Sequence, residues 1–431
     1  MNLPADLTHW REYAAPAVES GVVAVFAVVY LGMFLGGLPR LKLDRSGIAL
    51  LGAIAVIALT GMSLEEAARA VDLPTLVLLF AFMVVSAQMR LGGFYTAVTR
   101  GVGALPVGRP LLLALLMGVA ALLAAVFSND IVCLAMTPVV ARIAIQRRLN
   151  PVPWLVALAC AANIGSAATL IGNPQNMLIG SVLKLSFAEH LRQAWLPVGL
   201  SLLALWLWLA FGPSARADAD AERYDAPPAD DPPFDRVQSA KGLLVAGTLL
   251  AVFLFTDWPH GVAALVGAAV LLMSRQLHSS HVMGFVDWQL LLLFIGLFIV
   301  NHAFQATGLS GEAVAWLAGH GVHLSDPGVL LVLGTALSNL VSNVPAVMLL
   351  LPHLKGAPPD AAVLLALAST FAGNLLLVGS IANLIVVDLA EKAGVHIGWR
   401  EHAAIGVPVT LASLAVLWGW VLWLAPAQAS V

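Results

Sequence analysis

Ser128, Asn129 and Asp130 place two neutral oxygen donors and a carboxylate inside an apolar stretch. Hydroxyl and amide oxygens can coordinate a dehydrated alkali cation at low desolvation cost, and they can equally satisfy the bare amides and carbonyls of a helix end. The dipeptide returns as Ser342-Asn343, 214 positions on, with Val344 where the carboxylate stood. Phe80 and Phe294 keep that spacing, as do Pro138 and Pro352, so one register runs from Phe80 to Pro138. A polar cap in a buried turn would explain a single Ser-Asn pair. Two pairs at matched depth, each followed ten residues later by proline, favour binding.

A second pair of polar segments follows. Gly172-Asn173-Pro174-Gln175-Asn176 is matched, 207 positions later, by Gly379-Ser380-Ile381-Ala382-Asn383. Proline removes a backbone donor and glycine relaxes the chain, so the first segment predicts a helix unwound part-way along its length. The second keeps the glycine and the final asparagine but loses the proline, which predicts a site built differently. A tolerated kink packed against neighbours is the structural alternative.

Such segments need a scaffold, and composition names its solvent. Of 431 residues 60% are hydrophobic and 10% charged, with a mean hydropathy of +0.92. That is too little polarity to cover a water-soluble protein of this size. The apolar runs suit helices rather than barrel strands, predicting an all-α polytopic membrane protein. Crossings are expected near 17–37, 46–62, 73–90, 152–182 and 195–212, then 241–257, 260–275, 288–306, 361–389 and 404–425. The runs 110–141 and 326–353, each broken by Ser-Asn, read as re-entrant hairpins; irregular backbone at that depth must be buried in protein or line a polar cavity. The expected organisation is a first repeat over 1–212 (hairpin 110–141, broken helix 152–182), a cytoplasmic linker over 213–240, and a second repeat over 241–431 (hairpin 326–353, broken helix 361–389). Each repeat then holds five transmembrane helices plus one hairpin, and an odd number inverts the second against the first.

Charge supports one orientation. With the loop after the first helix inside, only Arg11, Arg69, Lys184, Arg192 and Lys355 of the 21 Lys and Arg fall outside. That asymmetry fits the positive-inside rule and puts both termini outside. Segment 91–109 reads as a helix in the inner interface, with 307–325 as its outer counterpart. Trp10, Trp195, Trp258, Trp288 and Trp399 sit near helix ends, as interface anchors do. The start has no basic region before its first apolar run and no A-x-A site near its end, so a cleaved leader is not expected.

Asp130 is the carboxylate that this topology places deep in the membrane beside the first Ser-Asn pair. Intramembrane carboxylates are costly and point to function, so Asp130 is expected to bind a coupling cation or carry a proton; a protonated, hydrogen-bonded Asp is the structural alternative. Asp388 is expected to reach the inner interface. His302 stands opposite Gln88 in the repeat and is read as a packing residue. Arg142, Arg147 and Arg148 read as inner anchors rather than anion ligands. Cys133 and Cys160 read as packed thiols, and no metal-ligand cluster or disulfide framework is available. No HExxH, GxSxG or P-loop is present, which argues against an intramembrane enzyme or a nucleotide-driven pump; a scaffold would not need two broken polar elements.

FSNDIVCLAMTP (Phe127–Pro138) resembles the first-half signature of arsenite efflux permeases, and LVSNVPAVMLLLP (Leu340–Pro352) the second-half signature. NIGSAATLIGNPQNMLI (Asn163–Ile179) and VGSIANLIV (Val378–Val386) resemble YbiR-type inner-membrane permeases. Over about residues 45–425 the chain is identified as a member of the ion transporter superfamily, with NhaD-type sodium/proton antiporters, citrate carriers and divalent anion/sodium symporters. The resemblance implies that Ser128, Asn129, Ser342 and Asn343 line the cation and substrate sites, closed by Gly172, Asn173, Asn176, Gly379, Ser380 and Asn383. The symporters carry Ser-Asn-Thr at both tips; Asp130 and Val344 depart from it, and an aspartate there is more like the arsenite permeases or a proton-coupled exchanger. The resemblance also implies elevator-type movement and a homodimer.

The expected function is secondary active transport of a small inorganic or carboxylate anion, of arsenite or citrate type, across a bacterial inner membrane. Coupling is to H+ or Na+ through Asp130. Sodium/proton antiport is the alternative. The expected partners are the lipid bilayer and a small ion, with no cofactor, no nucleic acid and no metal beyond Na+.

Overall fold

The computed structural model describes residues 16–37, 42–213, 224, 233–274 and 277–428. Trp10, Arg11, Arg40, Arg216, Arg223, Arg275 and most of the expected 213–240 linker lie outside the described residues. Among the described residues the regular structure is helical, with no strand. The first half runs α1 (Pro16–Leu35), α2 (Arg45–Thr60), α3 (Leu64–Ala70), α4 (Leu73–Leu91), α5 (Phe94–Gly103), α6 (Arg109–Val126), α7 (Asn129–Gln146), α8 (Pro151–Ser166), α9 (Pro174–Leu183) and α10 (Phe187–Phe211). The second runs α11 (Arg236–Phe255), α12 (His260–Leu272), α13 (Ser279–Met283), α14 (Trp288–Ala306), α15 (Leu309–Gly319), α16 (Pro327–Val341), α17 (Asn343–Leu350), α18 (Pro359–Ala372), α19 (Ile381–Lys392) and α20 (Trp399–Gln428). Short 3-10 turns occupy Leu351–Leu354 and Leu377–Gly379.

Local chemistry fixes many of these boundaries. Asp72 and Asp287 cap α4 and α14 by accepting from the amides of Thr75 and Leu290, each at 2.9 Å. Ser63 and Glu66 form a capping box at the start of α3, with bonds of 2.7 and 3.2 Å. Among the described residues eight helices are long and apolar enough to cross a membrane by length and composition: α1, α4, α6, α7, α10, α11, α14 and α20, over at least 18 residues each. This is an integral membrane protein. Trp258, Trp288 and Trp399 are exposed near helix ends, as anchors should be, whereas Trp195, also exposed, lies two turns inside α10, which starts earlier than expected.

At the centre lie α8, every residue of which is buried, and α18, buried from Ala362 to Ala372. α6 and α7 pack on α8, and α16 packs on α18. Elsewhere α2 lies tight against α14: a Cβ on Gly296 would come 2.6 Å from the backbone of Ala49. Phe26 of α1 stacks on Phe304 of α14 at 3.8 Å, and Tyr30 donates to Asn301 Oδ1 at 2.9 Å.

Several boundaries differ from the sequence reading; α10 starts at Phe187 rather than near 195, and α20 at Trp399 rather than near 404. The helices flanking Ser128 run to 109 and 146, so each reaches 18 residues, about 27 Å. The expected linker ends early, because Asp235 caps α11 through the amides of Val237 and Gln238. Arg142 is buried rather than standing at an interface. Arg147 serves as a clamp: its guanidinium donates to Gly103 O at 2.7 Å and Val107 O at 3.1 Å, tying the end of α5 to α7. Asp388 is exposed and pairs with Lys392 at 2.6 Å, a local i,i+4 contact. Cys133 and Cys160 are buried and free.

Candidate functional site

Four helix breaks meet near the middle of the fold. α6 gives way to α7 through Phe127 and Ser128 in extended backbone. The amide of Ser128 donates to Ser86 Oγ, and that of Asn129 to Gly172 O, both at 3.3 Å. α16 gives way to α17 at Ser342 alone, with φ 76° and ψ 160°. That conformation belongs almost exclusively to glycine, so a serine there is held under strain.

The breaks between α8 and α9 and between α18 and α19 are closed by the same device. Asn176 Nδ2 donates to Ser166 O (3.5 Å) and Thr169 O (3.0 Å). Asn383 Nδ2 donates to Gly373 O (2.8 Å) and Leu376 O (3.2 Å). The acceptors stand ten and seven residues upstream in both cases. Asn173 caps α9 by accepting from Asn176 N at 2.9 Å, and Ser380 caps α19 by accepting from Ala382 N at 3.2 Å. Pro174 follows Asn173 as the first helical residue, where a missing amide costs nothing. Gly172 is sterically required: a Cβ would lie 2.2 Å from Ser166 O. Gly379 repeats the contact more loosely, at 3.0 Å from Gly373 O.

Asn163 of α8 joins the breaks. Its Oδ1 accepts from Asn129 Nδ2 at 3.1 Å and from Ser380 Oγ at 3.0 Å. Its Nδ2 donates to Asn374 Oδ1 at 2.9 Å and Asn383 Oδ1 at 3.1 Å. Thr370 of α18 receives the opposite traffic, from Asn173 Nδ2 at 3.3 Å and Gln175 Nε2 at 3.2 Å. Ser166 Oγ donates to Asn163 O at 2.8 Å and accepts from Asn173 at 3.0 Å. The result is a buried polar layer in which each half supplies partners to the other's break.

Of the residues marked from sequence, Asn129, Gly172, Asn173, Asn176, Ser380 and Asn383 share this layer. Asn343 and Gly379 border it: a Cβ on Gly373 would lie 3.3 Å from Asn343 Nδ2, and one on Gly379 3.2 Å from Asn339 Oδ1. Ser128, Asp130 and Ser342 flank it, with no side-chain hydrogen bond to the described residues. Asp130 is half-buried, in the first turn of α7. The buried oxygens Asn129 Oδ1, Asn176 Oδ1, Asn339 Oδ1 and Asn343 Oδ1 have no hydrogen-bond partner among the described residues. Burying a polar atom unpaired is costly, so four unpaired carbonyl oxygens beside the breaks mark donors available to an ion.

Sequence reasoning passed over Asn163, Thr370, Asn374, Ser338-Asn339 and two histidines, His190 and His402. Asn163 was visible as the amide of an otherwise apolar α8, and Ser338-Asn339 as a second Ser-Asn pair one helical turn before the first. At the edge of the layer a cleft of about 740 Å³ opens between α9 and the turn joining α11 to α12, lined by Leu170 and Ile171 of the first break with Lys184, Asp257 and His260.

Broken helices closed on a buried polar layer, inside a bundle of apolar helices, define a membrane carrier rather than an enzyme. Two solved structures share the fold: the Alcanivorax borkumensis YdaH transporter (TM-score 0.58, 15% identity, 96% of this chain and 99% of that one) and Neisseria gonorrhoeae MtrF (TM-score 0.55, 12% identity, 96% of each). The model of the citrate transporter family matches residues 30–372, and the chain belongs to that family. It is 30% identical to the silicon efflux transporter LSI3 of Oryza sativa subsp. japonica, over 93% of this chain and 97% of that protein. It is 32% identical to the inner membrane protein YbiR of Escherichia coli, over 82% and 88%. The protein is a secondary transporter of this group.

Proposed function

We propose that the chain carries a small inorganic or carboxylate anion across a bacterial inner membrane, coupled to H+ or Na+. The observation that carries this reading is the Asn163 node, which binds Asn129 from its own half and Asn374, Ser380 and Asn383 from the other. Four helices, α7, α9, α17 and α19, begin at this layer. Their N-termini bring partial positive charge to bear on an anion, while unpaired amide oxygens serve a cation. LSI3 is named for silicon efflux and the family for citrate, which favours a small oxygen-rich substrate.

Asp130 is the coupling group in this proposal. Its carboxylate stands in the first turn of α7 beside the layer, where a bound proton or sodium would neutralise it. The second break offers Val344 and neutral oxygens, so the two breaks differ in charge. This asymmetry also favours the second reading, sodium/proton antiport. The matched order of α1–α10 and α11–α20 supports an inverted repeat, and the charge asymmetry supports a cytoplasmic linker with both termini outside. The breaks would then change sides by an elevator-type movement, as the resemblance implies.

The test is flux into proteoliposomes under an imposed pH or sodium gradient, with arsenite and citrate as probes. Wild type is expected to move at least one, and Asp130→Asn to lose the dependence on the gradient while remaining folded. Coupling in Asp130→Asn equal to wild type would refute its role.

A further inference from the structure

His190 and His402 occupy equivalent places that the proposed ion site leaves unexplained. Each is the fourth residue of the helix that follows a broken helix, α10 after α9 and α20 after α19, and each is preceded by glutamate. Both are buried, at 0% and 2% exposure. His190 Nε2 lies 3.1 Å from Ala167 O, and His402 Nε2 3.0 Å from Asn374 O. Ala167 and Asn374 stand 207 positions apart, the spacing that relates the two breaks. A carbonyl can only accept, so both imidazoles carry the proton on Nε2.

The need for these donors is physical. Where a helix breaks, its last carbonyls lose the amide four residues on, and a bilayer offers no water to replace it. Each histidine caps such a carbonyl from a neighbouring helix. Asn374 is thereby held twice: its backbone by His402 and its side chain by Asn163 at 2.9 Å. Ala167 adjoins Ser166, which links Asn163 to Asn173. Around His402 the fit is close. A Cβ on Gly406 would lie 2.3 Å from Asn374 O and 2.9 Å from His402 Nε2, so a side chain there would push the pair apart.

We propose that His190 and His402 are paired positioning residues, one per half, which fix the break carbonyls and so set the geometry of the ion-binding amides. The proposal rests on the transport reading for its functional part and on geometry alone for the clamp.

The experiment compares His190→Leu, His402→Leu and the corresponding glutamine variants, in the full chain. Leucine keeps an apolar volume and removes the donor, whereas the glutamine amide nitrogen reaches about where Nε2 stood. Hydrogen exchange is read at the amides of 167–173 and 373–380, and arsenite and citrate flux in proteoliposomes is read beside it. Each leucine variant is expected to speed exchange in its own break by about tenfold and to raise the half-saturating probe concentration about tenfold, with a smaller change in maximal rate. Glutamine should restore both. Unchanged exchange in the leucine variants would overturn the clamp. Faster exchange with unaltered half-saturation would overturn the positioning role. Wild type that moves neither probe would sink the transport reading, while the exchange contrast still decides the clamp.

Discussion

Asn163 and Thr370, 207 positions apart, exchange partners: Asn163 bonds to Ser380 and Asn383 of the second break, and Thr370 accepts from Asn173 and Gln175 of the first. Each central helix thus stabilises the other half's discontinuity. Neither half alone could complete the layer: without the other, Asn163 keeps only Asn129 and Asn173 keeps only Ser166 as side-chain partners.

Replacing Asn163 should therefore cost more than replacing Thr370. Asn163→Leu loses four side-chain bonds and leaves the Asn374 and Asn383 oxygens buried without a donor, at about 1–3 kcal/mol for each group stranded. Thr370→Val keeps its shape and leaves only the Gln175 amide without its acceptor, since Asn173 still donates to Ser166. The apparent melting temperature of the solubilised protein is expected to fall by about 5 °C or more for Asn163→Leu, and by less for Thr370→Val. The reverse order would show that the layer is not centred on Asn163.

Gly172→Ala should be far more damaging than Gly379→Ala. The new methyl would meet a backbone oxygen at 2.2 Å in the first case and 3.0 Å in the second. Yield of folded protein and thermal stability should both rank Gly172→Ala lower; equal tolerance would mean that the first break can open freely.

The four breaks were legible because polar residues are rare enough in this chain to stand out, and their spacing recurs as 214 and 207. That apolar runs form helices followed from their length, but several starts did not: α11 begins behind Asp235 rather than near 241, and α10 at Phe187 rather than near 195. What joins the breaks was harder to see. Asn163 and Thr370 are equivalent by position but differ in type, so they do not read as a repeat. His190 and His402 sit on a slightly different offset, 212, because α19 and the loop after it are both longer than their first-half counterparts, and without the fold nothing ties a histidine to a particular carbonyl. Arg142 looked like an interface anchor from its neighbours Arg147 and Arg148, yet it lies on the buried face of α7.

Ser342→Gly should raise stability and lower transport. Glycine adopts the φ of 76° without the penalty that a Cβ brings, a gain on the order of 1 kcal/mol. It also loosens the turn that aims Asn343. A melting temperature that rises together with undiminished flux would show that strain at Ser342 has no part in function.

Arg147→Lys should not replace Arg147. The guanidinium reaches Gly103 O and Val107 O at once, a forked grip that a single ammonium cannot reproduce. Both Arg147→Lys and Arg147→Ala are expected to speed proteolysis in 103–108, with the alanine variant the faster. Cleavage at the wild-type rate in Arg147→Lys would indicate that charge alone holds this loop.

The most direct measurement is gradient-driven flux of arsenite and citrate in proteoliposomes, comparing wild type with the double variant Asn129→Ala, Asn343→Ala. An ion site shared between the breaks predicts accumulation of at least one probe by wild type, and none by a double variant that remains folded. Equal accumulation by both proteins would contradict it.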